Sequence, residues 1–172
     1  MDLAARAAQI RILLLDVDGI LTDNGLYVGE SGELMKRFDV RDGVGIKLVM
    51  RAGLEVGLIS GHDSQATAQR ARQLGIACCH VGVKDKRPVW EAILAERDLV
   101  ATQALYMGDD LLDIALLQRA GLAVTVPEAP EIVRRHAHLV TTAPGGRGAV
   151  REVCERLLFE QGRLEDCLER FV

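Results

Sequence analysis

The chain has few aromatic residues and no excess of basic ones. Aromatic side chains make up 3% of its 172 residues, so the core must be built from aliphatic residues. The net charge is −4, and no basic stripe with interleaved aromatic residues occurs along the sequence. Because binding to nucleic acids and to anionic membranes depends on clustered positive charge, we expect neither as a partner.

Cysteine pairs with the spacing of a metal site and long apolar segments are also missing. The cysteines are Cys78, Cys79, Cys154 and Cys167. None forms a C-x-x-C pair, and we interpret them as thiols of a reducing compartment. No apolar run approaches the roughly 18 residues that suggest a membrane-spanning helix, and the N-terminus has no signal-peptide core. These absences predict a soluble cytoplasmic protein.

Short apolar runs alternate with helical stretches along the rest of the chain. The run at residues 10–15 is apolar except for Arg11, which is typical of a buried parallel strand. Similar runs follow at residues 54–60, 76–81, 104–108 and 122–126. Helices are predicted at about residues 43–52, 64–74, 86–97, 110–120, 128–136 and 147–160. The alternation predicts a Rossmann-like three-layer α/β/α fold with a central parallel sheet, in one domain covering residues 1–172.

Glycine residues predict where three of these helices end. Gly53, Gly75 and Gly121 each separate a helical stretch from the next apolar run. Since glycine tolerates the left-handed backbone conformation that closes many helices, we expect that conformation at all three positions.

One segment interrupts the alternation directly after the first strand. Residues 26–29 and 33–38 flank the sequence Glu30-Ser31-Gly32, which predicts a β-hairpin flap over about residues 25–39 with Gly32 in its turn. No long insertion interrupts the alternation elsewhere. The chain ends in a C-terminal helix and tail of about residues 147–172, and we expect the charged part from Gly162 onward to be loosely held.

Two carboxylates follow the first predicted strand, in the sequence Asp16-Val17-Asp18-Gly19. Neighbouring carboxylates repel each other unless a cation or a proton intervenes, and Mg²⁺ suits one or two carboxylates together with water and phosphate. An EF-hand calcium loop is excluded by its spacing. Counted from Asp16, its sixth and twelfth positions hold Leu21 and Tyr27 instead of Gly and Glu.

Polar residues also lie at or after three later strand ends, where parallel sheets bind ligands. After the second apolar run, the Ser60 hydroxyl and the Gly61 backbone can bind a phosphate oxygen, or Ser60 can cap the helix near Asp63. Lys84 and Lys86 open a helix, where an ammonium can neutralise phosphate or simply be solvated. A cluster of three acidic residues begins the helix after residues 104–108: Asp109, Asp110 and Asp113. Helix capping explains one of the three, and the surplus indicates a metal site.

In this order, these elements resemble the motifs of the haloacid-dehalogenase-like phosphohydrolase superfamily. Its first motif, Asp-x-Asp-Gly-(Val/Ile)-Leu-Thr-Asp, is matched by residues 16–23 (DVDGILTD). Its later motifs are matched by Ser60, by Lys86 in preference to Lys84, and by residues 108–113 (GDDLLD). Residues 38–46 and 145–152 further resemble its capless branch of 3-deoxy-D-manno-octulosonate 8-phosphate phosphatases, whose relatives act on nonulosonate 9-phosphates.

The resemblance implies a Mg²⁺-dependent phosphomonoester hydrolase that works through an aspartyl-phosphate on Asp16, with Asp18 as general acid and base. The implied metal ligands are Asp16, the backbone carbonyl of Asp18, and Asp109, supported by Asp110 and Asp113. Ser60 and Lys86 would hold the phosphoryl oxygens. The branch also implies a homotetramer and a small sugar-acid phosphate as substrate, most simply octulosonate 8-phosphate in lipopolysaccharide precursor synthesis.

Substrate recognition is less tightly specified by the motifs. Arg41 and Arg147 are candidates for binding a sugar-acid carboxylate, or for surface and subunit contacts, and Gly61 and His62 lie beside the phosphate site. Octulosonate phosphatases usually carry Arg at the position of His62, so a nonulosonate 9-phosphate stays open as the substrate.

Two other classes of protein stay open as alternatives. A phospho-accepting receiver also combines aspartates, a hydroxyl and a lysine, but it places its acceptor aspartate two strands after an acidic pair. Here the acidic pair directly follows the first strand, and the second acidic cluster comes late in the chain. The other alternative is an assembly module that partners a sugar-nucleotide synthetase, although the chain contains no segment for such a partner.

Overall fold

A central parallel sheet organises the residues that the computed structural model describes, 2–30 and 32–169. The strands are β1 (Ile12–Leu15), β2 (Tyr27–Gly29), β3 (Gly32–Met35), β4 (Glu55–Ile59), β5 (Cys78–His80), β6 (Ala104–Met107), β7 (Leu122–Thr125) and β8 (Leu139–Val140). The order across the sheet is β5-β4-β1-β6-β7-β8, and every neighbouring pair is parallel. β1 lies near the middle, and its four apolar residues are fully buried.

Helices flank this sheet, which confirms the predicted α/β/α fold without a large cap. The helices are α1 (Leu3–Ala7), α2 (Val40–Arg51), α3 (Gln65–Leu74), α4 (Lys86–Glu96), α5 (Ile114–Leu117), α6 (Glu131–Arg134), α7 (Ala149–Glu160) and α8 (Leu164–Leu168), with 3₁₀ turns at Ala101–Gln103 and Leu111–Asp113. α2 packs against α7, and α4 packs against α5. Within the described ranges, none of these helices is long and apolar enough to cross a membrane.

Side-chain caps fix the first residues of α2 and α4. Asp39 accepts a hydrogen bond from the backbone N–H of Arg41 at 2.8 Å and caps α2. Asp85 accepts one from the N–H of Arg87 at 3.1 Å and caps α4. Because a cap satisfies a backbone donor that the helix leaves unpaired, it determines where the helix begins. The cap on α4 makes Lys86 the first helical residue.

The predicted hairpin is confirmed as an antiparallel pair of β2 and β3 that is separate from the main sheet. An isolated bridge between Thr22 and Phe38 closes its base. On its surface, the side chains of Tyr27, Val28 and Met35 are exposed. The hairpin is therefore held at its base and presents apolar groups to solvent.

The structure also departs from the predicted pattern. α1, β8 and α8 were not predicted, because two to five residues are too few to give a periodic signal. The expected loose tail contains α8, and its residues 170–172 lie outside the described residues. Gly53 and Gly75 are left-handed, with φ values of 82° and 71°, but the prediction for Gly121 is wrong. A β-carbon at Gly121 would overlap the backbone of Thr102, so close approach explains this glycine.

Candidate active site

The carboxyl ends of β1 and β6 bring the predicted acidic residues together. Asp16 is the first residue after β1, and its backbone N–H donates to the carbonyl oxygen of Met107, the last residue of β6, at 2.9 Å. Asp109 and Asp113 follow β6 within six residues of that point. Because the two strands are parallel neighbours, residues far apart in the sequence meet at one edge of the sheet.

Lys86 is enclosed by this acidic cluster. Its Nζ lies 2.9 Å from Asp16 Oδ1 and 2.7 Å from Asp113 Oδ1. The hydroxyl of Tyr106, on β6, donates to the same Asp113 oxygen at 2.6 Å. All four residues are buried, and such buried charges are tolerated only when they are paired and hydrogen-bonded. Lys84 is exposed, so the structure brings Lys86 and not Lys84 to the acidic residues.

Asp113 organises the loop that carries the other two aspartates of its motif. Its Oδ2 accepts hydrogen bonds from the backbone N–H groups of Asp109 at 3.0 Å and Asp110 at 3.1 Å. Both Asp113 oxygens are thus engaged by protein donors. The Asp110 side chain is exposed and accepts from the N–H of Leu111 at 2.7 Å, so it caps the 3₁₀ turn at the rim of the site.

Burial and crowding perturb the ionisation of these groups. Burial, reinforced by the charge of Asp113, raises the pKa of Asp16 to about 8, although Lys86 opposes the shift. Burial, with contributions from Asp113 and Asp110, raises the pKa of Asp109 to about 7. Burial lowers the pKa of Lys86, but Asp16 and Asp113 outweigh it, so the net shift is upward and the ammonium is retained. The cluster therefore favours either protons or an additional cation.

The residues present fit a divalent cation. Oxygens of Asp16, Asp109 and Asp113 all lie within 4.8 Å of one another. Asp109 Oδ1 is buried and has no hydrogen-bond partner among the described residues, although a buried carboxylate oxygen ordinarily needs one. A hard cation would satisfy this oxygen and offset the repulsion between the carboxylates.

Two residues of the loop after β1 shape the space beside Asp109. A β-carbon at Gly19 would overlap the Asp109 carboxylate, so only glycine fits there. The amide of Asn24 lies 3.4 Å from Asp109 Oδ2, and Asn24 itself has a left-handed φ of 65°. Asparagine adopts this conformation more readily than most residues, and here it directs the amide toward the acidic cluster.

Asp18 is bound by the hairpin and does not point into the carboxylate cluster. The ammonium of Lys36 donates to both of its carboxylate oxygens, at 2.7 and 2.9 Å. His62 Nδ1 lies 4.0 Å from Asp18 Oδ2. The Asp18 side chain is 25% exposed, so it remains accessible to a molecule in the site.

A cleft of about 160 Å³ lies above these groups. The lining residues are Asp16, Asp18, Asn24, Gly61, His62, Lys86, Asp109, Asp110, Leu112 and Asp113. Ser60, the residue before Gly61, is fully buried and does not line the cleft, and its hydroxyl is hydrogen-bonded to the backbone N–H and carbonyl of His62, both at 3.3 Å. The alternative that Ser60 caps the next helix is wrong, because Ser64 caps α3.

The two arginines considered for substrate binding do not line this cleft. Arg41 pairs with Asp39 at 2.8 Å and donates to the carbonyl oxygen of Arg147 at 3.0 Å. The Arg147 guanidinium lies 3.7 Å from Asp23 and borders a neighbouring cavity of about 400 Å³, which Gly19 and Gly145 also line. Arg147 is therefore adjacent to the loop that carries the site, whereas Arg41 lies further out on α2.

Sequence reasoning missed three residues of the site: Lys36, Tyr106 and Asn24. Tyr106 lies within the apolar run at residues 104–108, which predicts a buried strand and no polar role for its hydroxyl. Lys36 lies at the end of the hairpin, where a lysine ordinarily suggests an exposed strand edge. The only signal for Asn24 was its position next to the first acidic motif.

The comparisons with known proteins agree with this geometry. The profile of haloacid dehalogenase-like hydrolases matches residues 82–151. The chain is 41% identical over 164 residues to 3-deoxy-D-manno-octulosonate 8-phosphate phosphatase KdsC of Yersinia pestis, covering 95% of this chain and 88% of the relative. The crystal structure of the Moraxella catarrhalis phosphatase, in complex with a magnesium ion, a phosphate ion and a KDO molecule, aligns with a TM-score of 0.95 at 33% identity, covering 98% and 97%. The cobalt-bound phosphatase of Haemophilus influenzae aligns with a TM-score of 0.90 at 34% identity, covering 92% and 93%.

The chain belongs to the haloacid dehalogenase-like hydrolases and is a phosphatase of that family. Within the family, it is similar over nearly its whole length to the 3-deoxy-D-manno-octulosonate 8-phosphate phosphatases. The resemblance predicted from the motifs is thereby confirmed.

Proposed function

We propose that this chain is a Mg²⁺-dependent phosphatase that hydrolyses 3-deoxy-D-manno-octulosonate 8-phosphate to the free sugar acid and phosphate. The observation that carries the proposal is the buried group of Asp16, Lys86 and Asp113 beside the unpartnered oxygen of Asp109. An anionic nucleophile, a cation and a carboxylate that can bind a metal ion are the parts that phosphoryl transfer requires. Similarity to octulosonate phosphatases over 95% of the chain supports the substrate.

The first step transfers the phosphoryl group to the protein. A carboxylate oxygen of Asp16 attacks phosphorus, the bond from phosphorus to the sugar oxygen breaks, and an aspartyl-phosphate forms. Asp18, at the rim of the cleft, donates a proton to the departing sugar oxygen. Lys86 binds the phosphoryl oxygens from the floor of the cleft, and the Gly61 backbone and Ser60 bind them from the end of β4.

The second step regenerates Asp16. Asp18, now deprotonated, takes a proton from a water molecule as the water attacks phosphorus and the bond to Asp16 breaks. Phosphate then leaves, and Asp18 carries the proton that the next cycle needs. Both steps therefore use one acid–base group, and this is consistent with the partial exposure of Asp18.

Mg²⁺ would be held by Asp16, the backbone carbonyl of Asp18, and Asp109, with Asp110 and Asp113 in support. When bound, it would neutralise charge between the anionic nucleophile and the anionic substrate. Since protein donors engage both Asp113 oxygens, this side chain fits a role in orienting Lys86 and Asp109 better than one as a direct ligand.

The sugar-acid end of the substrate would extend toward Arg147 and the neighbouring cavity. A guanidinium at that point suits a carboxylate. Arg41 would contribute indirectly, through its hydrogen bond to the Arg147 carbonyl. A nonulosonate 9-phosphate is the second candidate substrate, because His62 lines the cleft where octulosonate phosphatases usually carry Arg.

A homotetramer in the cytoplasm completes the proposal. The hairpin side chains Tyr27, Val28 and Met35 are 57–68% exposed, and several exposed apolar side chains in one short hairpin favour association with another surface. Sedimentation of the purified chain would test the assembly. A monomer at micromolar concentration would contradict it.

The test of the function is a phosphate-release screen with Mg²⁺ across sugar phosphates. We expect the highest kcat/KM on octulosonate 8-phosphate and no release after chelation of Mg²⁺. A higher value on a nonulosonate 9-phosphate would favour the second candidate. Stable phosphorylation without turnover of any ester would favour the receiver-like alternative.

A further inference from the structure

Lys36 joins the hairpin to the proposed acid–base residue. It is the first residue after β3, and its side chain is fully buried although neighbouring hairpin side chains such as Met35 are exposed. Its ammonium donates to both carboxylate oxygens of Asp18, at 2.7 and 2.9 Å. The hairpin therefore contacts the site through the Lys36 ammonium.

Because the Lys36 ammonium is buried, its contact with Asp18 differs from an incidental surface ion pair. A lysine at the edge of a small hairpin can ordinarily extend its charge into water, and burying that charge is unfavourable unless it is paired. The pairing of Met35 with Tyr27 and the bridge between Thr22 and Phe38 fix the backbone on either side of Lys36. Backbone position and charge pairing together direct the ammonium to Asp18.

Lys36 does not touch the space where the substrate would bind. It is absent from the residues that line the cleft, whereas Asp18 is among them. Asp18 is 25% exposed, and it leaves the sheet on a loop that also contains Gly19, with a left-handed φ of 80°. A carboxylate on such a loop has several accessible rotamers unless a partner holds both of its oxygens.

We propose that Lys36 is the positioning residue that orients the Asp18 carboxylate for proton transfer to the leaving oxygen. The inference rests on the proposed function and adds the hairpin to the catalytic apparatus. Lys36 acts through Asp18, so replacing Lys36 should slow the hydrolysis only of those esters whose leaving group must be protonated as it departs. Sugar alkoxides need one, whereas p-nitrophenolate is stable enough to leave without it.

The experiment compares two esters and uses kcat/KM, which covers the steps up to departure of the leaving group. Lys36→Met should lower kcat/KM at least about tenfold on the sugar phosphate and less than about threefold on p-nitrophenyl phosphate. Lys36→Gln, which keeps a polar group, should show the same selectivity. Lys47→Met removes a partly exposed lysine on α2 and serves as the matched control, with both values near wild type.

A double-mutant cycle tests whether Lys36 acts through Asp18. In the Asp18→Asn background, adding Lys36→Met should change kcat/KM on the sugar phosphate by less than about twofold, because the interaction is already lost. The proposal would be overturned if the decreases in kcat/KM of the two single variants multiplied in the double variant. It would also be overturned if Lys36→Met lowered kcat/KM equally on both esters. Either result would indicate a structural or substrate-binding lysine.

A crystal structure of Lys36→Met gives a readout that does not depend on turnover. We expect the Asp18 carboxylate to rotate away from its present position. An unchanged Asp18 would overturn the proposal even if the variant lost activity. If the chain were not a phosphatase, the wild type itself would hydrolyse neither ester, and this result is distinct from a loss confined to the Lys36 variants. If the wild type instead preferred another sugar phosphate, the same comparison of variants would be made with that ester.

Discussion

The ammonium nitrogen of Lys86 lies 2.9 Å from Oδ1 of Asp16, and both side chains are buried. Removing one partner of such a pair leaves an uncompensated charge, at a cost of about 3–5 kcal/mol. In the proposed mechanism, the same ammonium also binds the phosphoryl oxygens. Lys86 therefore both stabilises the buried Asp16 carboxylate and, in the proposed mechanism, binds the substrate.

Lys86→Met should lower kcat at least about 100-fold, because a buried cation that stabilises the transferring phosphoryl group would be lost. Lys84→Met is the matched control, since Lys84 is exposed two residues earlier and should leave kcat unchanged. Phosphate release with Mg²⁺ measures both. A larger loss for the Lys84 variant would contradict the assignment of Lys86.

Asp16→Asn should abolish turnover, by at least about 10⁴-fold in kcat, because an amide cannot form the phosphorylated intermediate. Fold and substrate binding should persist, since the change is nearly isosteric. Phosphate release and calorimetric titration with substrate measure the two properties. Asp166→Asn, an exposed change on α8, controls for loss of a carboxylate. Hydrolysis near the wild-type rate by the Asp16 variant would rule out Asp16 as the nucleophile.

Mg²⁺ affinity should rise with pH between pH 6 and pH 8. The pKa of Asp109 is raised to about 7 and that of Asp16 to about 8, so both carry protons at pH 6 that the metal must displace. Each displaced proton changes the apparent affinity by about tenfold per pH unit. Isothermal titration in two buffers of different ionisation enthalpy would detect the released protons. Equal affinity at pH 6 and pH 8 would contradict the prediction.

The same shifts determine how stability depends on pH. A carboxyl group whose pKa is higher in the folded state binds more protons there than in the unfolded chain. Between its unfolded pKa of 3.8 and its folded value, its contribution to the free energy of unfolding therefore falls as pH rises. Mg²⁺ offsets this loss by binding the folded state. The increase in Tm on adding Mg²⁺ should be larger at pH 8 than at pH 6.

Asp109→Ala should remove Mg²⁺ binding and activity together, because the carboxylate with the unpartnered oxygen would be lost. Metal titration measures the first effect without any need for turnover. Asp110→Ala is the comparison within the same motif, since the Asp110 side chain is exposed and caps the 3₁₀ turn. We expect a smaller loss of affinity for this variant. Unchanged Mg²⁺ affinity of the Asp109 variant would exclude it as a ligand.

The proposed nucleophile and metal cluster were predictable because strand ends carry a clear signal. The apolar run before Asp16 predicted β1, and the run before Asp109 predicted β6. Once the sheet was known to be parallel, both sets of carboxylates had to lie at its carboxyl edge. The local apolar pattern and the general rule for parallel sheets were therefore sufficient to predict that these carboxylates lie close together.

Lys36 and Tyr106 could not be predicted in the same way, because their roles depend on long-range contacts. Tyr106 is one apolar-looking position of a buried strand, and its hydroxyl gains partners because Asp113 and Lys86 are brought back to β6 from other parts of the chain. Lys36 faces inward because the hairpin folds back to Asp18, 18 residues earlier. Alternation in a short, exposed hairpin does not specify which face is buried.

The contact between Gly145 and Gly19 gives a test of how the glycine-rich loop supports the site. A β-carbon at Gly145 would overlap the carbonyl oxygen of Gly19, next to Asp18, and the N–H of Gly146 donates to the Ile20 carbonyl at 2.9 Å. Gly145→Ala should therefore lower the free energy of unfolding by about 1–3 kcal/mol. It should also lower kcat/KM, because the loop that carries Asp18 must shift.

Gly25→Ala is the matched control for stability. Gly25 lines the same cavity as Gly145, its φ is outside the left-handed region, and a β-carbon there would meet only the Asp23 carboxylate at 3.4 Å. Denaturant unfolding should therefore separate the two variants by at least about 1 kcal/mol. Equal stability would mean that the loop of Gly145 relaxes freely. In that case the close approach of the two glycines would not be what holds the Asp18 loop in place.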